Sequence, residues 1–212
     1  MTDMPMASLS DDYPATLEID YPEDDRDWFS VLVRPILAIP IAIVLALVSG
    51  SAVHQRGNWS GAAGGILFLA TLVMIVFRQK YPGWWFDWNV NLTAFSLRVA
   101  SYLALLRDEY PSTEEEQAVH VAIGYPDVET ELNRWLPLVK WLLAIPHLIV
   151  LAVLAVAALV CVILAWFAIL VTGRYPRGLF DFVVGVLRWY LRVAAYAFLL
   201  TTDRYPPFRL GA

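Results

Sequence analysis

Arg98 and Arg192 each follow an aspartate, Asp87 or Asp181, by eleven residues. In a helix that spacing returns both groups to one face. Asn91 and Ser101 share the face of Asp87 and Arg98, and the corresponding face further along carries Asp181, Gly185, Arg188 and Arg192. Cations displayed in this way suit anionic lipid headgroups, against which each surface charge is worth about 1 kcal/mol. Arg34, Lys140, Arg174 and Arg177 complete the set of candidate headgroup ligands. The competing use is structural, as topology determinants, snorkelling anchors and ion pairs with the aspartates. His147 is the candidate functional residue inside an apolar run, because an ionisable group there is costly to hold. An interfacial histidine bonded to neighbouring backbone is the plainer alternative.

These residues form no recognisable reactive set. His54, His120 and His147 have no metal-ligand spacing to one another or to acids. A phosphate-cradling glycine loop, a nucleophile elbow and a zinc motif are all missing from the sequence. No catalytic, cofactor-binding or metal residue is therefore expected, and the chain reads as non-enzymatic. An enzyme would need His147 to converge with Asp181 or Asp203. Cys161 is the single cysteine and sits within the longest apolar run, as a small packing residue would.

With 59% hydrophobic and 17% charged residues and nine tryptophans in 212 residues, the composition points to a membrane protein. The first 30 residues are polar and acidic, without the basic start and apolar centre of a signal peptide. A net charge of -5 gives no footprint for nucleic acid. The expected partners are membrane lipids, a larger membrane complex or further copies of the chain.

Seven of the ten tyrosines stand directly before proline, at positions 13, 21, 81, 110, 125, 175 and 205. They punctuate a sequence written twice. Leu32-Val-Arg-Pro-Ile-Leu-Ala-Ile-Pro40 returns 106 residues later as Leu138-Val-Lys-Trp-Leu-Leu-Ala-Ile-Pro146. Tyr81-Pro82, Phe86-Asp87 and Leu97-Arg-Val-Ala100 return 94 residues later as Tyr175-Pro176, Phe180-Asp181 and Leu191-Arg-Val-Ala194. An insertion of twelve residues in the first copy, placed in the polar stretch Ser49 to Gly65, accounts for the difference. Proline removes a backbone donor and extends the residue before it, while tyrosine favours the membrane interface, so each Tyr-Pro reads as a boundary at headgroup depth.

Each copy opens with an alternating segment, Thr16 to Asp20 and Val119 to Gly124, and two equivalent strands invite pairing. Pro207 to Leu210 offers a third strand. The first copy then offers two apolar spans, Phe29 to Val48 and Trp59 to Phe77, as a helical hairpin over 29–77. Between Leu136 and Thr172 only Lys140 and His147 are strongly polar. Those 37 residues would run about 55 Å as one helix, against a hydrocarbon core of about 30 Å. A second hairpin over 134–173, turning near Ala155 to Ala158, satisfies that length; a single long, kinked helix is the alternative, since no glycine or proline marks the turn. The aromatic and polar stripes of 84–106 and 179–200 read as amphipathic helices in the interface.

The organisation expected is an acidic tail at 1–14, a first repeat at 15–111, an acidic linker at 112–117 and a second repeat at 118–212. The fold class is an all-α integral membrane protein, a tandem repeat of hairpin plus interfacial helix, with a small cytoplasmic sheet of short strands. Arg26, Arg34, Arg78, Lys80, Arg134, Lys140, Arg174 and Arg177 flank the spans on one side and only Arg56 lies opposite, which places both termini in the cytoplasm and makes the repeats parallel.

The runs Leu142-Leu-Ala-Ile-Pro-His147, Trp166-Phe-Ala-Ile-Leu-Val-Thr-Gly-Arg-Tyr-Pro-Arg-Gly-Leu-Phe-Asp-Phe182, Leu187-Arg-Trp189 and Thr202-Asp-Arg-Tyr-Pro-Pro-Phe208 closely resemble the Domain-of-Unknown-Function 4389 family. The resemblance covers nearly all of the second copy and, more weakly, the first. It implies a bacterial multi-pass membrane protein and brings no established activity; the expected location is the bacterial inner membrane. The first copy departs from the motif at Ile41, in place of the histidine, and at Gln79-Lys80 before Tyr81. The functional expectation is an accessory or scaffold subunit, or a lipid-organising protein at the cytoplasmic face. The alternative is a small transporter or channel with a path between two parallel pseudo-symmetric repeats.

Overall fold

The structure, a computed structural model, describes residues 13–22, 28–48, 63–112 and 117–211. Strand β1 (Ala15–Ile19) leads to helix α1 (Trp28–Val48), and α2 (Ala63–Val73) passes into a π-helical turn at Met74–Arg78. Helix α3 (Gly83–Leu103), strand β2 (Val119–Ile123), α4 (Pro137–Leu143), α5 (Ile145–Thr172) and α6 (Arg177–Ala197) follow. The two strands pair antiparallel with Leu17 opposite Val121 and Glu18 opposite His120, as their matching positions in sequence suggest. In a background with Cys161→Ala, oxidising Glu18→Cys/His120→Cys should give a disulfide in the purified full chain, because directly opposed residues bring their Cα atoms within bridging range. Glu18→Cys/Ala122→Cys, displaced along the strand, should stay reduced; mass spectrometry of free thiols reads both.

The hairpin expected over 134–173 is replaced by one kinked helix. α4 and α5 are separated only at Ala144, whose N–H still donates to Lys140 O and whose carbonyl accepts from Leu148 N, each at 2.9 Å. Pro146 supplies no N–H to the turn before it, which accounts for the interruption at Ala144. With no helix breaker near Ala155 to Ala158, propagation continues to Gly173, where φ is 71° and the N–H caps onto Ile169 O. For the first hairpin, the turn falls outside the described residues. α1 and α2 follow one another along α3: Ile41 packs with Phe95 and Val99, while Ile75, Phe68 and Leu72 pack near Phe86, Trp85 and Val90.

The helices expected over 84–106 and 179–200 are α3 and α6, and α6 packs between α5 and β1. The segment from Tyr13 to Tyr21, with β1 at its centre, runs along α6: Tyr13 Oη donates to Arg192 O (3.2 Å), Arg188 Nε to Leu17 O (3.0 Å), and Tyr21 Oη to Tyr175 O (2.5 Å) just before the helix. α5 runs antiparallel along the opposite side of α6. Trp189 Nε1 meets His147 Nδ1 at 3.2 Å, and Ala165 and Ile169 share a core with Phe180, Val183 and Val184. α6 is consequently buried from Val183 to Val186 and from Leu191 to Ala197. Arg188 and Arg192, the expected headgroup ligands on the polar stripe of α6, turn inward to backbone carbonyls. α3 bears the same relation to β2 and to α1.

The third strand is absent as well. Residues 201–211 form an irregular strap, and Pro206-Pro207 withhold two of the donors that a ladder would use. Gly185 lets the strap close on α6, since a Cβ there would lie 3.0 Å from Leu210 Cβ and 3.1 Å from its carbonyl oxygen.

Candidate functional site

Two of the candidate cations, Arg34 and Lys140, support two matching corners. At the first, the buried Arg34 of α1 pairs with Asp108, donates to Arg107 O (3.0 Å) and lies 4.8 Å from the Tyr102 ring centroid. At the second, the buried Lys140 of α4 pairs with Asp203 (2.6 Å), donates to Thr202 O (2.8 Å) and lies 5.2 Å from the Tyr196 ring centroid. Leucines in the left-handed region, Leu105 (φ 60°) and Leu200 (φ 59°), turn the chain so that each aspartate reaches its cation. Burial lowers the affinity of Lys140 for its proton, and the Asp203 carboxylate opposes that shift. Neither cation is displayed to a headgroup, and the aspartates that pair with them are not the Asp87 and Asp181 singled out by helical spacing.

Arg192 is buried on α6 and holds the strap, donating to Arg209 O (3.3 Å) and Gly211 O (2.7 Å). Arg98, within α3, donates to Ser112 O (2.7 Å) in the segment that follows the helix. The structural reading of these residues is therefore the one their geometry supports. Arg174 and Arg177 are exposed at the turn between α5 and α6, and the Arg177 guanidinium lies 4.5 Å from the Tyr21 ring centroid. They are the members of the set left facing outward.

His147 is enclosed by rings. Phe208 stacks on it at 4.0 Å and 18°, Tyr205 lies 4.7 Å away, and Trp189 donates to its Nδ1. That bond fixes the proton of a neutral imidazole on Nε2, which has no hydrogen-bond partner. Asp203 binds Lys140, and Asp181 is exposed. Among the described residues, no group of three His, Cys, Asp or Glu side chains could hold a metal ion.

Two clefts flank Tyr125-Pro126. One, of about 540 Å³, is lined by Arg78, Lys80, Tyr81, Asp127 and Glu129; the other, of about 790 Å³, runs past Tyr13, Thr16, Glu131 and Asp203. The first carries mixed charge, and the second is lined by threonines and carboxylates together with Arg204. Burial pushes the Tyr81 hydroxyl, on the rim of the first, up to about 12 from 10.0. A raised folded-state value means stability is intact below pH 10 and falls as pH climbs towards 12. Absorbance of tyrosinate should show this group ionising late, with Tyr81→Phe removing its share of the alkaline loss.

Sequence reasoning missed Asp108, Asp203, Tyr102 and Tyr196 as partners of the buried cations. A signal was present: each aspartate stands two residues before a Tyr-Pro, in Asp108-Glu-Tyr-Pro111 and Asp203-Arg-Tyr-Pro206. Residues 135–209 match the family described as Domain of unknown function (DUF4389), which supports the resemblance over that segment. No curated protein and no solved structure matches the chain.

Proposed function

We propose that this chain is a non-enzymatic protein of the bacterial inner membrane, an accessory or scaffold subunit that organises lipid at the cytoplasmic face. The observation that carries this reading is the outer surface of α1, α4 and α5. Ile36, Leu37, Ile39 and Ile43 are exposed on α1, Leu138, Val139 and Leu142 on α4, and Val153, Val156, Leu159, Val160, Leu164 and Phe167 on α5. Soluble monomers rarely expose a continuous apolar patch above a few hundred Å². α5 is also the one helix among the described residues long and apolar enough to cross a membrane. Exposed Arg134, Arg174 and Arg177 lie beside this surface in the chain, where anionic headgroups would meet them.

A duplicated architecture is part of the proposal. The corners at Arg34 and Lys140 support it, and so do the ring contacts. Tyr21 packs edge-on to Phe180 at 5.0 Å, and Tyr125 to Phe86 at 5.0 Å; each of these tyrosines donates across to the carbonyl of the other half's Tyr-Pro, Tyr175 or Tyr81, at 2.5 Å. The two halves would thus be clasped reciprocally around the sheet, making one rigid platform.

Expressed in a bacterial host, the full chain should sediment with membranes, resist high salt and carbonate, and enter solution only with detergent. Recovery in the soluble fraction without detergent overturns the reading. Extraction in mild detergent should retain anionic lipid or a membrane partner, whereas solute flux through reconstituted vesicles would favour a transporter.

A further inference from the structure

We propose that the protein sits in a single leaflet, with α5 lying in the plane of the membrane instead of crossing it, and with acyl chains covering the exposed apolar face of α1, α4 and α5. The inference rests on the membrane reading above and specifies how the surface is used. It follows from what stands beside α5. A 28-residue helix is about 42 Å long, enough for a core of about 30 Å, and length alone would make it a span. But α6 is laid along it from His147–Trp189 to the Gly173 turn, and the extended chain from Tyr13 to Tyr21 is laid along α6 from Arg192 to Tyr175.

The three elements run along one direction. An upright α5 would therefore hold the sheet upright as well, with Glu18 and its neighbours near the bilayer centre. Glu18 and His120 are exposed, and the His120–Asp20 pair has side chains 61% and 64% exposed. A charged side chain at the centre of a span costs about 2.5–3.5 kcal/mol. The outer edges of a two-stranded sheet would add unpaired backbone groups, each costing several kcal/mol in hydrocarbon.

Turned flat, the same layers are compatible with lipid on one side and water on the other. The buried stripe of α5, through His147, Leu151, Ala165 and Ile169, faces α6, and the opposite side faces acyl chains. The sheet, two layers away, faces water. Exposed Trp135 and Trp141 precede α5, and exposed Arg174 and Arg177 follow it, so both ends of the helix are furnished for headgroup depth. Positive charge at those ends complements an anionic leaflet better than it would the apolar surface of another copy.

The test uses the full chain with Cys161→Ala, reconstituted in vesicles of phosphatidylcholine and phosphatidylglycerol. Single cysteines at Ile149, Val156, Leu164 and Val171 carry a fluorophore, and lipids spin-labelled near the headgroup or deep in the acyl chain act as quenchers. A helix lying flat gives a ratio of shallow to deep quenching that varies less than about twofold along the four sites. Glu18→Cys should react with a water-soluble maleimide in bound protein and escape both quenchers. A graded profile, with Val156 and Leu164 deepest and the two outer sites shallow, overturns the flat orientation while leaving the membrane reading intact. Failure to bind vesicles overturns both. Shielding of all four sites from either quencher, with self-association on crosslinking, would assign the face to a second copy and also defeat the proposal.

Discussion

Replacing Lys140 by methionine is expected to destabilise the protein by about 3 kcal/mol, the lower end of the range for removing one partner of a buried pair. The side chain of Lys140 is fully buried, whereas that of Asp203 is 20% exposed and can regain some hydration when its partner is lost. Two further contacts vanish with the amine: the donation to Thr202 O and the approach to the Tyr196 ring. Lys140→Met/Asp203→Leu should recover most of the loss, because an apolar pair of similar volume avoids desolvating charge. Reversible unfolding in mixed micelles, read as a double-mutant cycle, measures the coupling. A loss below about 1 kcal/mol for Lys140→Met would mean the amine is not structural and would return it to the pool of headgroup ligands. Arg34→Met should behave likewise, through Asp108 and Arg107 O.

The fate of these cations shows where sequence stops being informative. Helical spacing placed Asp181 and Arg192 on one face, and they do share a helix. Spacing within an element cannot say what lies opposite, however, and the partner of Arg192 is the carboxy-terminal strap, brought over Gly185 by the tertiary fold. The same limit applies to α6. Its stripe of polar and aromatic residues fits an interfacial helix equally well as a helix wedged between an apolar helix and a strand, and only the strand contacts decide. By contrast, the pairing of β1 with β2 was legible because two alternating segments stood at matching places. The course of α4 and α5 was half legible. The absence of any breaker near Ala155 favours continuity, while a run of about 55 Å against a hydrocarbon core of about 30 Å favours a fold-back. A helix that need not cross a membrane has no such ceiling on its length.

Truncating Phe180 to alanine should cost about 3–5 kcal/mol, and truncating Phe86 should cost a similar amount. Phe180 is buried with Tyr21 and Tyr175 edge-on at 5.0 and 5.7 Å; Phe86 is buried with Tyr125 and Tyr81 edge-on at 5.0 and 5.6 Å. Each phenylalanine thus loses the hydrophobic contribution of a whole ring together with two aromatic pairs, each worth about 0.5–1.5 kcal/mol beyond area. The equality is the sharper part of the expectation. Each ring is held by a Tyr-Pro from its own half and by one from the other, so removing either opens the clasp that closes the halves on the sheet. In the double variant the losses should exceed their sum or leave no cooperative transition, because β1 and β2 share one ladder and neither clasp is independent of it. Near-neutral Phe86→Ala beside a severe Phe180→Ala would show that the carboxy-terminal half folds on its own terms. The reciprocal contacts would then be a resemblance of shape without a shared mechanical role.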